Sequence, residues 1–347
     1  MKAPKYAPPQ DFLSHPYKIP IFLKEEYVKH IFAVFLAFLA FTGAVQASGG
    51  EKVMEEKTAI VIASFGTTYE TTLEPILALV RETQLKYPGT PVRLAFTSNV
   101  IRRIWNERVA DTAYRKAHPQ IPEMLYGIKN VLGVMADLQN LGYRNIVVQP
   151  TLITDGEEFA DMTAYVDALA SIKTLKPRLQ PFVAVGIGKP LTGAYSHAEH
   201  LEVLAKVLES DIKQAKEAKA ALVYMGHGNE HMSQGAYYEL ELILNRMYGV
   251  PVAIGLVEGL PDYESVLEKL TAKKVKNVIL RPLMYVAGDH AQNDMAGDEE
   301  DSWKVMLTKS GFNVTPVLEG LGHKAAVRQI FINHLEAAAK EAGIELK

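Results

Sequence analysis

Cysteine is absent from the 347-residue sequence. Its absence excludes disulfides, thiolate metal sites, iron–sulfur clusters and a lipidated N-terminal cysteine. Any metal must therefore rest on imidazole and carboxylate groups. A surplus of positive charge is missing as well. With 37 Lys and Arg against 40 Asp and Glu the net charge is −3, and nothing in that balance marks a nucleic-acid binder. No phosphate-cradling G-x-x-x-x-G-K-[ST] loop occurs, so ATP is not implied. Long apolar runs are also lacking, with one exception near the N-terminus.

That exception is Ile31 to Phe41, IFAVFLAFLAF, preceded by Lys24 and Lys29 and followed by the small residues Val45 and Ala47. The pattern is that of a secretory signal cleaved after Ala47. The run is shorter than the roughly 20 apolar residues a membrane span needs, and an uncleaved anchor is the alternative. The expectation is a signal peptide over 1–47, a linker over 48–57, a periplasmic mature protein and no stable membrane span after cleavage. Residues before Val28 make a long leader, which fits a translation start near that point. Losing five lysines and three acids moves the net charge from −3 to −5.

The rest, 48% hydrophobic and 22% charged over the whole chain, has ample material for two domains. From Thr58, apolar runs of strand length alternate with amphipathic segments. TAIVIASF, VRLAFT, NIVVQPTL and PFVAVGIG form one series, and AALVYMG, PVAIGLV, NVILRPLM and NVTPVLEG a second. Continuous rather than alternating apolar runs imply strands covered on both faces, as in parallel sheets. The fold class expected is α/β, with two similar domains over 58–192 and 193–347. Each holds a four-stranded parallel sheet flanked by helices. The clearest internal helix pattern is Ile121 to Leu141, and Lys324 to Ala342 reads as a last helix packing back.

The two series match in detail. VQPTLITDGEEFADM from Val148 and RPLMYVAGDHAQNDM from Arg281 share a strand, a Pro, a Gly six residues on, and a final Asp-Met. Glu158 in the first copy stands where the second has His290. PVRLAFTS and PVAIGLVE set Ser98 opposite Glu258, and IASFGTT and VYMGHGN set Phe65 opposite His227. Three strand ends thus carry Phe, Ser and Glu in one half but His, Glu and His in the other. Ligands of parallel α/β sheets collect outside the carboxyl ends of the strands, so His227, Glu258 and His290 are expected in one cleft. Two imidazoles and a carboxylate suit a divalent first-row metal with coordination positions left open. Plainer alternatives stand beside this. A histidine at a strand end can be a hydrogen-bonded structural residue, Glu258 can cap the helix after Pro261, and Asp289, Asp294, Asp298, Glu299 and Glu300 can be a solvated acidic loop.

VIASFGTTYETT, LAFTSNVIRR, YMGHGNEH, VEGLPDYESV and PLMYVAGDHAQNDMAGDEEDSWK together resemble the anaerobic cobalt chelatases that act on sirohydrochlorin, the CbiK family. The resemblance runs from Thr58 to the last helix. It implies a class II chelatase-like fold with the site in the cleft between two domains, and a His-Glu-His metal set at His227, Glu258 and His290. It also implies Co²⁺ inserted into sirohydrochlorin as a step toward corrinoids, with Fe²⁺ as a second metal. One position departs. Where the family has a histidine in a QxLHIIxGEE-like loop, this chain has Leu152. His231 matches a family histidine and reads first as a residue behind the ligands or a surface histidine, although a pair with His227 at i, i+4 on a helix could bind metal.

The macrocycle's carboxylates need donors. Arg102 and Arg103, and Ser64, Thr67 and Thr68 in SFGTT, are candidates; the arginines read equally as exposed on a helix, and the hydroxyls equally as helix caps. Phe65 and Met284 are candidate walls for the flat ring, with buried core the better reading of Met284. His118 and His334 read as surface residues, His197 and His200 as exposed at a helix start, and His323 as a cap or surface residue. The competing reading is an exported binding protein for haem, a corrinoid or a metal, built on the chelatase fold. A homo-oligomer is compatible with either.

Overall fold

A computed structural model describes residues 56–194 and 197–347. The expected signal segment lies outside the described residues. The first lobe runs β1 (Lys57–Ser64), α1 (Glu74–Lys86), β2 (Val92–Phe96), α2 (Asn99–Ala110), α3 (Thr112–Ala117), α4 (Val131–Asn140), β3 (Tyr143–Pro150), α5 (Glu157–Ala170) and β4 (Ala184–Ile187). The second runs α6 (Ala198–Val207), α7 (Glu209–Glu217), β5 (Ala220–Gly228), α8 (Gly235–Tyr248), β6 (Val252–Glu258), α9 (Tyr263–Ala272) and β7 (Asn277–Pro282). A π-helical turn (Ala291–Met295), α10 (Trp303–Lys309), β8 (Asn313–Pro316) and α11 (Ala325–Glu341) complete it.

Both sheets are parallel, in the orders β2-β1-β3-β4 and β6-β5-β7-β8. Each expected strand is present. The run Ile121 to Leu141 is not one helix. A short turn over Glu123–Leu125 and Gly127 at φ +77° break it, and Asn130 caps α4 by accepting from the Gly133 N–H at 3.0 Å. Ile121, Leu125 and Ile128 are buried from these turns rather than from a helix face, which is why their spacing imitated helical periodicity.

Successive residues of a strand face opposite layers, and here the layers are unequal. Ile60 and Ile62 of β1 and Leu222 and Tyr224 of β5 belong to one continuous core reaching through α8 and α11. Ala59, Val61 and Ala63 face a second core, and Ala221, Val223 and Met225 a third. The two lobes therefore share an interior. α11 carries it across to the first lobe, and Gly186 of β4 allows the approach: a Cβ there would lie 2.7 Å from the Ala338 carbonyl oxygen. Arg328 of α11 pairs with Glu82 of α1 at 2.7 Å.

His334, expected at the surface, is buried beneath α11. Its Nδ1–H donates to the Lys189 carbonyl at 3.1 Å, and its Nε2 accepts from His200 Nδ1 at 3.0 Å. His200 is thus engaged rather than exposed. Burial, reinforced by His200, lowers the His334 pKa to about 4. The stability that this neutral imidazole contributes is complete above about pH 6.5 and is lost as pH falls toward 4, by up to about 1.4 kcal/mol per pH unit. Urea midpoints measured from pH 7.5 to 5 should fall more steeply in the wild type than in His334→Gln. Equal slopes would show that the ring is not held neutral.

Candidate metal site

Strand register establishes which residues the duplication makes equivalent. Ala63 faces Pro150 in one sheet and Met225 faces Pro282 in the other. Ser64 faces Phe96, and Gly226 faces Leu256. Phe65 therefore corresponds to His227, and Ser98 to Glu258. Equal loops after the two prolines set Glu158 against His290. The equivalent residues also meet: the Phe65 and His227 rings face each other across the cleft with centroids 5.9 Å apart.

His227 is the penultimate residue of β5, and its Nδ1–H donates to the Gly228 carbonyl at 2.7 Å. A carbonyl only accepts, so Nδ1 carries the proton and Nε2 keeps its lone pair. Gly228 sits at φ +81°, and a Cβ on it would fall 1.8 Å from the Glu258 carbonyl oxygen. Only glycine lets the ends of β5 and β6 lie this close. His290 stands at the head of the π-helical turn, and its Nδ1–H donates to Asp294 Oδ2 at 2.6 Å. The two imidazoles meet edge to face, centroids 4.8 Å apart. Each presents Nε2 as its available ligand atom.

Both line a cavity of about 420 Å³ with Phe65, Leu152, Glu158 and Met284. Glu258 is opposite Gly228 in register, but it is exposed and is not part of the lining. Among the described residues, no three His, Asp or Glu side chains form a ready metal set. The histidine pair is assembled, and the carboxylate waits one strand away. Glu158 supplies the ionisable group on the facing wall, where Leu152 gives only apolar surface. Tyr237, overlooked in the sequence, is buried, and burial pushes its phenol far up; it hydrogen-bonds with Thr154 of the first lobe and the Gly228 backbone.

The candidate donors fare differently. Ser64 and Thr67 line the cavity; Thr67 is committed, bonding with Thr72 at 2.8 Å and accepting from the Tyr69 N–H, whereas Ser64 is buried and accepts from Thr151 at 3.0 Å, which uses its lone pair and not its O–H. Arg102 is outside the main lining. Its guanidinium donates to the Phe96 and Thr97 carbonyls at 2.7 Å each and to Asn99, bracing the start of α2 beside a smaller cavity of about 250 Å³. Arg103 is exposed. Met284 is a half-buried wall. His231 makes no helical pair with His227, which is in a strand; it caps the turn over Met232–Gln234. His118 is not a lone surface residue, since its Nδ1 bonds to Glu70 at 2.8 Å and its ring stacks on Tyr114. His197 Nδ1 bonds to the Thr192 carbonyl at 2.9 Å. His323 is exposed at a turn before α11.

Further hydrogen bonds clasp the lobes beside the site. Tyr69 donates to Asp289 at 3.0 Å, and Ser233 to Thr154 at 3.3 Å.

The pattern of the cobalt chelatase (CbiK) family matches residues 58–340. The chain is 31% identical over 287 residues to the sirohydrochlorin cobaltochelatase of Salmonella typhimurium, covering 82% of this chain and 98% of that protein. It is 33% identical over 285 residues to the sirohydrochlorin cobaltochelatase CbiKC of Nitratidesulfovibrio vulgaris, covering 81% and 90%. Among solved structures, a multi-domain Deinococcus radiodurans protein with structural similarity to chelatases aligns with a TM-score of 0.50 at 11% identity. That alignment covers 83% of this chain and 56% of that protein.

Gly228 gives this geometry a direct check. Gly311→Ala, at φ +89° with open space around it, should cost only the left-handed backbone penalty of about 1–2 kcal/mol. Gly228→Ala should add an overpacking cost of about 1–3 kcal/mol. Thermal unfolding of the two variants, side by side, measures the difference; equal losses would deny the tight approach of β5 to β6.

Proposed function

The chain belongs to the cobalt chelatase (CbiK) family, and on that footing we propose that it inserts Co²⁺ into sirohydrochlorin without ATP. The observation that carries this reading is the edge-to-face pair His227 and His290, each tied through Nδ1 and each lining the same cavity. Nε2 of both rings takes the substrate ion and replaces part of its water shell. Glu258, exposed at the next strand end, completes the set by turning toward the ion and offsets its charge. Ferrous iron prefers the same imidazole and carboxylate ligands and is the alternative metal.

Insertion requires two pyrrole N–H protons to leave. With the metal on the second-lobe histidines, the opposite wall offers Glu158 as acceptor. A proton acceptor of this kind contributes about 10²–10⁴-fold. The cleft must also widen. A flat macrocycle between Phe65 and His227 needs contacts of about 3.5 Å on each face, roughly 7 Å in all, against the 5.9 Å between their centroids. Either the lobes part or the Phe65 ring turns aside. Tyr69→Phe removes one clasp and should raise the rate of pigment association; an unchanged or slower rate would count against the clasp as a barrier to entry.

Leu152 supports a second reading. An apolar residue on the cavity wall in place of the family's histidine, together with the leader-like N-terminus, suits an exported protein that binds a tetrapyrrole such as haem or a corrinoid. We also propose that residues 1–47 direct export to the periplasm. Mass determination of the secreted mature chain decides this, the expected N-terminus being Ser48.

The deciding experiment for activity is anaerobic, with the mature protein, sirohydrochlorin and Co²⁺, following the absorbance change of metallation. The expected result is a rate well above the spontaneous one, lowered on the order of 10²-fold or more by His227→Ala. A shifted pigment spectrum without faster insertion would replace the chelatase with the binding protein.

A further inference from the structure

The duplicated loops differ in length by one residue, and the difference falls beside His290. From Gly156 to the buried Met162 is six residues; from the equivalent Gly288 to the buried Met295 is seven. Both methionines are core residues of their lobes, so they mark equivalent positions. The extra residue is absorbed where the second copy forms a π-helical turn over Ala291–Met295, while the first copy runs as regular helix from Glu157. A π turn is the local consequence of one residue inserted into a helix, and such turns recur at functional sites. The insertion changes the spacing of one carboxylate. In the first lobe Asp161 lies three residues after Glu158, whereas in the second Asp294 lies four after His290 and accepts its Nδ1–H at 2.6 Å.

We propose that the one-residue insertion makes Asp294 the positioning residue of the metal site, holding His290 in the tautomer and orientation that present Nε2 to the substrate ion. The proposal rests on the chelatase reading of the histidine pair. His227 needs no such partner, because its acceptor is the main-chain carbonyl of Gly228, held by a backbone that only glycine can adopt. One ligand is therefore oriented by the main chain and the other by a side chain that is 47% exposed. Partners of this kind typically govern 10–100-fold in metal affinity.

The test uses the metal alone and the protein alone. Co²⁺ affinity is read from the ligand-field absorbance of the bound ion, and the His290 tautomer from the ring ¹⁵N shifts of the metal-free protein. Asp294→Ala should weaken Co²⁺ binding about 10–100-fold and release His290 from the single Nδ1–H form. Asp294→Asn, whose amide oxygen accepts the same hydrogen bond without charge, should restore most of the affinity and the tautomer. Asp298→Ala removes an exposed acid of the same loop, bonded to Lys304, and should change neither. An unaltered tautomer in Asp294→Ala, or an equal affinity loss in Asp298→Ala, would overturn the proposal. If the wild type itself binds no Co²⁺ in a His227-dependent manner, the chelatase reading fails instead; the tautomer readout still stands apart from it.

Discussion

The site depends on two sheets brought together with their carboxyl ends converging over one interior. Ile60, Leu222, Tyr224 and Phe331 belong to the same buried core, so neither lobe closes its apolar surface alone. At roughly 25 cal/mol per Å² of buried apolar area, such a shared core holds the lobes more firmly than the few hydrogen bonds at the rim. Glycines set how near they come. A Cβ on Gly156 would strike Asn229 of the other lobe at 2.1 Å, while the matching Gly288 lies near Thr67. The two contacts are copies of each other, as Thr67 and Asn229 hold equivalent places after β1 and β5.

Within that frame, the halves differ in chemistry at the equivalent strand ends that line the cavity. Phe65 and His227 occupy equivalent strand ends and meet across the cleft, one an apolar ring and the other an imidazole. Glu158 and His290 both line the cavity from the heads of their helical segments. The result is a cavity whose second-lobe wall carries two imidazoles beside Asp289 and whose first-lobe wall carries Glu158. On the histidine side, hydrogen bonds to both Nδ1 atoms leave the ring lone pairs on the two Nε2 atoms.

Much of this was legible beforehand, for a local reason. Strands such as Ala59–Ala63 are buried on both faces, so their apolar runs are unbroken, and the paired Pro150 and Pro282 punctuate both copies alike. The misreadings share a different cause. Ile121–Leu141 had helical spacing, but the left-handed Gly127 and the Asn130 cap stop the helix. His334 looked like a surface residue on an amphipathic helix, yet α11 lies between lobes and has no solvent-facing side at that position. Arg102 and the Thr67 hydroxyl looked available to substrate, but hydrogen bonds to neighbours in the chain engage them.

The amino-acid order alone determined the α/β class, the four-plus-four strand count, the duplication and the identity of the two histidines, because each is written in periodicity and in residue-by-residue comparison of the halves. The partners of those histidines were decided only in three dimensions. That Asp294 rather than another acid of its loop meets His290 follows from the π-helical turn, and that Glu258 is exposed while Glu158 lines the cavity follows from how the lobes face each other. Hydrogen bonds and burial are properties of neighbours in space, and sequence spacing limits those neighbours without choosing among them.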